Sequence, residues 1–491
     1  MLYRFNFILI NLIMNFNIVV IGSGLSSLSF IDSYLEKNSK IDVISPDFKD
    51  VRARNSNKNS HLFEDINLPP QMKNNVTKVK NYFDLNNFDV NKNTNITGSL
   101  EFGGLSNYWG LQIDPEFFSD LNCFTKKDKK ELKKSFFEIA KKLDFFGEFS
   151  LDNKIFKNSF AVDGFFSKLI NRKKIIDMNI TKPVLAISRR NKGKKIKIDS
   201  INEKKNKINA KNFFNRFLKR KNIRFHNYVV KKINIKNKKI ELICQNGRVN
   251  KIFYAEKVVL GTGTLVTTKL ILELLNIKKE IKIKEHPRLA SCFFSKNAIK
   301  NNMSFMPSQM QIRNNKTSKS FMVDFKPGNR TFIDSVLHVY KFMYPFKNIL
   351  NLLKNNLIFS NFLLDSSFSN LFMKLTNNST VEIYSKKKLT KSILKNFKRI
   401  HDNIFNILNS ENLILPFYKK FFPGNGSSYH YFGTLPIGKK NKSLSVNGSC
   451  QLKIFKNIYI VDGSVFDFKT NKYPLGIIMA NARRIGKKIK Q

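Results

Sequence analysis

Three glycine-bearing turns are the places where this chain's residue types and spacing best suit chemistry. Gly22 and Gly24 close the run "NIVVIGSGLSSLSF" (17–30), which reads as a buried strand, a tight turn and a helix start. Such a turn lets backbone approach a pyrophosphate at the helix N-terminus, where unpaired N–H groups favour negative charge; Ser23 lies between the two glycines. Ser27 takes the third glycine position of the dinucleotide fingerprint and is small enough for close helix packing. Gly261 and Gly263 form a second strand, turn and helix in "KVVLGTGTLVTTKLIL" (257–272), and Gly103 and Gly104 stand in "FGGLSNYWG" (102–110). The second strand, "KIDVISPD" (40–47), should end in an acid for ribose hydroxyls but ends in Ser45, with Asp47 beyond Pro46. Ser45 offers a weaker hydrogen bond than a carboxylate, so the dinucleotide stays open on this motif, and an ordinary glycine turn remains the plain alternative.

The elements that hold these turns predict an α/β (α+β) fold, a Rossmann-like lobe with a second, sheet-containing lobe. Residues 51–98 read as a long lid-like excursion, 126–143 as a Lys-rich helix, and 223–246 as strands. From about 290 to 420 the glycine turns disappear, and glycine-rich loops return at 421–491. The expected division is therefore a discontinuous lobe of 14–290 and 421–491, with a substrate lobe at 291–420. The stretch 343–375 places Leu, Ile and Phe at helical spacing with Lys between; it reads as core or as a membrane-surface helix.

The 491 residues include 87 Lys+Arg and 36 Asp+Glu, a net charge of +51. The lysines are spread out and travel with Asn, Ile and Phe, as A/T-rich codons would produce, so no nucleic-acid partner is expected. The densest run, Lys182 to Lys207, reads as a solvated face. An anionic substrate or peripheral membrane contact stays compatible with the charge. Cys123, Cys244, Cys292 and Cys450 have neither metal-ligand nor disulfide spacing, which fits a reducing, cytoplasmic setting and no metal. The leader "MLYRFNFILINLI" is too short to span a membrane, and Met14 is the more natural start.

Six blocks in order resemble the glucose-methanol-choline oxidoreductases: "VVIGSGLSSL" (19–28), "GGLSNYWG" (103–110), "VVLGTGTLVTTKLIL" (258–272), "SSYHYFGTLPIG" (427–438), "IYIVDGSVF" (458–466) and "YPLGIIMANARRIG" (473–486). The flavour is nearest the pyranose-oxidase-like and sugar-modifying branch. The resemblance implies an FAD-dependent oxidation of an alcohol, of a sugar or glycoside, with an unspecified electron acceptor. It makes His430 the base that takes the hydroxyl proton while hydride leaves for the flavin. The family's second His or Asn falls on Tyr473, with Asn471 two residues earlier as the other candidate. Ser106 and Asn107 would hydrogen-bond the flavin, Asp462 and Gly463 would meet its ribityl chain, and amides after Pro474, at Leu475 and Gly476, its pyrimidine ring. Tyr108 replaces the histidine that attaches flavin covalently in pyranose-oxidase-like members, so the FAD is expected to be noncovalent; Trp109 reads as packing or as a substrate platform. His61, His226, His338 and His401 carry no such support, and His286, in an acid-His-Pro turn, reads as structural. An inactive flavin-binding protein, a nicotinamide-using protein and a polyanion binder are the rival classes.

Overall fold

The computed structural model describes residues 14–38, 40–47, 82–107, 109–114, 121, 123–143, 145–146, 174–175, 178–181, 183–188, 190–191, 194–195, 206–299, 308, 310–314, 320–328, 333, 337, 341–377, 379–438 and 443–489. The leader, Tyr108, His61, His338 and most of the excursion at 51–98 lie outside them.

A mixed seven-stranded sheet carries the glycine turns. Its parallel part runs in the order Ile223–His226, Ile41–Ile44, Met14–Ile21, Val249–Leu260, Ile458–Ile460. The first half of Val249–Leu260 also pairs antiparallel with Lys239–Asn246, which pairs with Val229–Lys236. One long strand therefore serves both a hairpin arm and the parallel core. Its Val258, Val259 and Leu260 are fully buried beside Val19 and Val20, as expected of strands covered on both faces. The helix Leu25–Tyr34 is buried at every residue. It packs on the last helix, Leu475–Lys488, where a Cβ at Gly486 would stand 2.5 Å from the Phe30 carbonyl oxygen. Arg483 fastens the pair by donating to Asp32, Glu36 and Glu138.

The second large sheet is antiparallel throughout, in the order Ile414–Phe421, Arg288–Ser295, Leu357–Leu364, Phe321–Pro327, Met310–Asn314, Met178–Thr181, Lys174–Ile175. The helix Lys387–Ser410 covers it with Ile393, Phe397, Ile400, Ile404 and Leu408, a stripe at spacings of three and four. His401 is buried on that stripe between Phe293, Phe362 and Tyr418, with Nε2 3.0 Å from Ser291 Oγ, so it is a packing residue.

Core membership crosses the simple division at 291–420. Met178 and Ile180 pack with the second sheet, whereas Leu371, Met373, Val381 and Ile383 pack with the first. The stretch 343–375 is not one amphipathic helix. It holds a short helix, Lys347–Leu353, with no buried residue, followed by the strands Leu357–Leu364 and Leu371–Leu375. Ile349 and Leu352 are 55% and 78% exposed, while Met343 and Leu350 pack at the edge of a small cluster around Leu357, so the start of the stretch is only partly covered. No helix among the described residues is long and apolar enough to cross a membrane. No cluster of metal-ligating side chains occurs among them either, and the four cysteines are free.

Candidate active site

The three glycine turns meet at one cleft. Gly22 has φ +105°, and a Cβ there would stand 2.4 Å from the Gly261 carbonyl oxygen, so the first and second turns touch through backbone. Ser27 seals that contact by donating its hydroxyl to Gly261 O at 3.1 Å. Ser23 joins the third turn: its Oγ accepts from the Gly103 amide at 2.9 Å and from Ser45 Oγ at 2.7 Å. Ser45 thus braces the first turn. Gly103 and Gly104 both have positive φ, and their turn is closed by Ser106 Oγ donating to Gly103 O and by the Asn107 amide donating to Phe102 O.

Among the described residues the cleft wall contains no Lys or Arg, and it includes Gly22, Ser23, Gly24, Gly103, Gly104, Ser106, Gly261, Gly263, Gly463 and Leu475. An anion there would rest on the uncapped start of the helix at Gly24 and Leu25 rather than on cationic side chains. The helix that starts at Leu475 also lacks a side-chain cap, and Leu475 and Ile478 line the cleft, which brings free backbone N–H groups and a partial positive charge to that wall. Glycine turns and two uncapped helix starts fit a large dinucleotide such as FAD.

Asp462 lines the cleft with its carboxylate already engaged. It accepts from Ser464 N and Oγ, from Gly263 N and from Thr267 Oγ, which ties the Ile458–Ile460 strand to the second glycine turn. Burial raises its pKa. Trp109 likewise spends its indole N–H, on Ile208 O at 2.8 Å, and packs on the core. Glu101, Tyr82, Tyr429 and Tyr431 also line the cleft and were not singled out from the sequence. Chain positions close to glycines 103 and 433 signalled Glu101, Tyr429 and Tyr431; Tyr82 carried no such local signal.

His430 sits where the segment 426–432 passes between this cleft and the second sheet. Its neighbours Tyr429 and Tyr431 line the cleft, and Tyr429 has φ +64°. Phe432 and Lys284 exchange backbone hydrogen bonds at 2.9 Å, which sets residues 285 and 286 against this segment. Glu285, fully buried, accepts from Gly426 N at 2.6 Å and Ser428 Oγ at 2.8 Å. Burial pushes its pKa up to about 7. His286 then meets His430 directly, Nδ1 to Nδ1 at 3.1 Å. Tyr473 packs edge-on to the His430 ring with centroids 5.2 Å apart.

Two facing Nδ1 atoms can share only one proton, and both rings are held neutral. Burial and the neighbouring His430 and Arg313 lower the His286 pKa well below the usual range. Burial and then the Arg288 charge bring His430 down to about 3. Two tautomers follow. When His430 carries the shared proton on Nδ1, its Nε2 is a free base, and His286 carries its own proton on Nε2, beside the Thr470 backbone that favours a protonated ring there. That Nε2 makes no hydrogen bond of ordinary geometry, so the Thr470 contact is loose. His286, read from the sequence as structural, is thus the group in contact with His430. The acid-His-Pro turn was the available signal.

Tyr473 and Asn471 have other partners. The Tyr473 hydroxyl lies 3.2 Å from Asp324 Oδ2, its amide donates to Asp114, and burial raises its pKa well above the usual phenol range. Asn471 donates to Asn314 O, Ser320 Oγ and Phe321 O, which holds the loop to the second sheet. The side of Tyr473 away from the cleft is a charged chamber. Arg313 pairs with Asp114 at 2.5 Å, and Asp324, 0% exposed, accepts from the Asn361 amide and from Gln112.

Residues 410–482 match the family model described as GMC oxidoreductase. Two solved structures share the fold along nearly the whole chain. Pyridoxine 4-oxidase from Mesorbium loti superposes with a TM-score of 0.64 at 11% identity, over 96% of this chain and 99% of its own. A formate oxidase from Aspergillus oryzae RIB40, described for the effect of a mutation on FAD modification, gives 0.64 at 10% identity over 96% and 97%. No curated protein matches the sequence significantly. At these identities the likeness establishes the α/β architecture with its Rossmann-like lobe.

Proposed function

We propose that the chain is an FAD-dependent oxidoreductase of the glucose-methanol-choline type that oxidises an alcohol, with His430 as the base. One observation carries the reading: His430 lies on the segment whose adjacent residues line the glycine-walled cleft, so base and cofactor site are contiguous. The FAD, when bound, supplies the acceptor for the hydride that leaves the alcohol carbon.

The protein's own part divides along the cleft. The turn at Gly22 and Gly24 and the helix start behind it bind the pyrophosphate through backbone N–H groups. Gly103 and Gly104 would admit the flavin close to backbone, and the Leu475 and Gly476 amides at the uncapped helix start would offer it partial positive charge. Tyr108 stands where the pyranose-oxidase-like members carry the histidine that attaches flavin, and noncovalent binding rests on that replacement. His430 Nε2 takes the hydroxyl proton as the carbon–hydrogen bond breaks. His286 orients the ring by accepting at Nδ1, and the imidazolium that forms is delocalised over the pair. Tyr473 walls the ring without competing for the proton. A sugar or glycoside hydroxyl is the substrate class supported by the sequence resemblance.

The test is anaerobic. Purified protein should be yellow with a flavin spectrum, and that spectrum should bleach when the right alcohol is added. No bleaching across a broad panel of sugars, sugar acids and simple alcohols would sink the oxidation reading and leave a flavin-binding protein.

A further inference from the structure

Arg288 begins the strand Arg288–Ser295, two residues beyond His286, whose Nδ1 meets His430. Arg288 and His430 are both half-buried, and Asn361, Asp324 and Tyr473 link them in sequence, with the Tyr473 ring packed on His430. The Arg288 Nε donates to Asn361 Oδ1 at 2.8 Å, and its two terminal nitrogens have no hydrogen-bond partner among the described residues. No carboxylate among those residues pairs with it.

The nearest acid is already committed. Asp324 Oδ1 accepts from the Asn361 amide, and Oδ2 receives Gln112 and Tyr473 and has Lys326 at 3.8 Å. Arg313 and Asp114 neutralise each other. Among the described residues of this cluster, three cations, Arg288, Lys326 and Arg313, stand against two carboxylates, Asp324 and Asp114, which leaves 3 − 2 = +1. Burial lowers the pKa of both Arg288 and Lys326; the Asp324 charge opposes that at both, and the Arg288 charge adds to the lowering at Lys326. A buried guanidinium without a counter-ion is costly, and a neutral substrate would leave it so.

Resting on the alcohol-oxidising reading above, the geometry points to an alcohol that bears a carboxylate, held by the terminal nitrogens of Arg288 while its hydroxyl meets His430. The planar fork of a guanidinium matches a carboxylate in two parallel hydrogen bonds. A single excess charge also suits a carboxylate better than a phosphate group, which carries about −1.5 to −2 near neutral pH.

The experiment titrates the oxidised, FAD-loaded protein with acetate, which cannot be oxidised here, and follows the flavin absorption spectrum and heat of binding. Acetamide and inorganic phosphate are the comparators. Acetate should bind at least about tenfold more tightly than acetamide, and more tightly than phosphate. Arg288→Gln should lower acetate affinity about tenfold or more while FAD loading is kept. Asn361→Asp supplies a carboxylate beside Nε without deleting the arginine and should do the same, which covers the case in which Arg288→Gln does not fold. Equal binding of acetate and acetamide, or undiminished acetate binding in Asn361→Asp, overturns the proposal; tighter phosphate binding overturns the carboxylate assignment. Glycolate and ethylene glycol then separate this inference from the function. Arg288-dependent acetate binding with no flavin reduction by any alcohol removes alcohol oxidation and keeps the anion site. Reduction by ethylene glycol as fast as by glycolate, without acetate binding, does the reverse.

Discussion

The glycine-walled cleft and the charged chamber behind Tyr473 lie on either side of the segment that carries His430, and they are built by opposite means. The cleft is made of backbone: three turns touching at Gly22, Gly103 and Gly261, two uncapped helix starts, and no Lys or Arg among the described residues. The chamber is made of side chains from four strands and two loops, among them Arg288, Arg313, Asp324, Asn361, Asp114 and Tyr473. Backbone groups hold a large ligand without choosing its chemistry, whereas side-chain charge selects a small one. Cleft substitutions should therefore change cofactor loading, and chamber substitutions should change flavin reduction.

The largest expected effect belongs to the cleft. Gly22→Ala places a Cβ 2.4 Å from the Gly261 carbonyl oxygen at φ +105°. Left-handed strain of about 1–2 kcal/mol adds to overpacking of about 1–3 kcal/mol. The purified variant should lose most of its flavin, read as the ratio of 450 nm to 280 nm absorbance on a scale of roughly tenfold or more per 1.4 kcal/mol. Full loading would mean that the two turns do not need their close contact.

His430→Ala tests the other side. It should keep its FAD and slow substrate-driven flavin reduction by about a hundredfold or more, as loss of a general base does. Flavin loss with an unchanged rate in the remaining holoprotein would reverse the two roles. His286→Phe should be milder, slowing reduction about tenfold, because the base remains but loses the acceptor that sets its tautomer. Its stopped-flow signature is a changed pH profile at unchanged FAD content. Tyr473→Phe removes only the hydroxyl that reaches Asp324, so a change of no more than about fivefold is expected, in line with one hydrogen bond of about 1 kcal/mol.

The same difference governs how much could be read from the sequence. Gly22, Gly24, Gly261 and Gly263 were legible because a strand, turn and helix are local events, and the flanking apolar runs declare them. The contact of His286 with His430 joins residues 144 apart. It depends on a backbone pairing at Lys284 and Phe432 that no local pattern announces. Asp324 and Asn361 face each other only through the register of two antiparallel strands. The run "LIFSNFLL" (357–364) illustrates the ambiguity: continuous apolar residues suit a buried strand as well as a helix, and sheet packing on both sides decided for the strand. Ser45, Ser106, Asn107 and Asp462 show a further limit. The sequence reading assigns them to a cofactor, whereas their hydrogen bonds brace the turns that form the cleft.

The smallest expected effect is no effect, and it bears most directly on the chamber. A base must be neutral to accept a proton, and His430, with its pKa pushed down to about 3, is neutral from pH 8 to pH 5. An ordinary imidazole near 6.5 would lose about thirtyfold of its neutral form by pH 5. Reduction rates should therefore show no falling limb from His430 across that range. Glu285 complicates the profile, since its pKa of about 7 lies inside it and its carboxyl holds Gly426 and Ser428, which fix the segment. Glu285 gains charge as pH rises through 7, so any contribution from it appears as an inflection there, and Glu285→Gln should erase it. A limb near 6.5 that survives Glu285→Gln belongs to His430 and would show that the base works in water rather than in the closed chamber with Arg288.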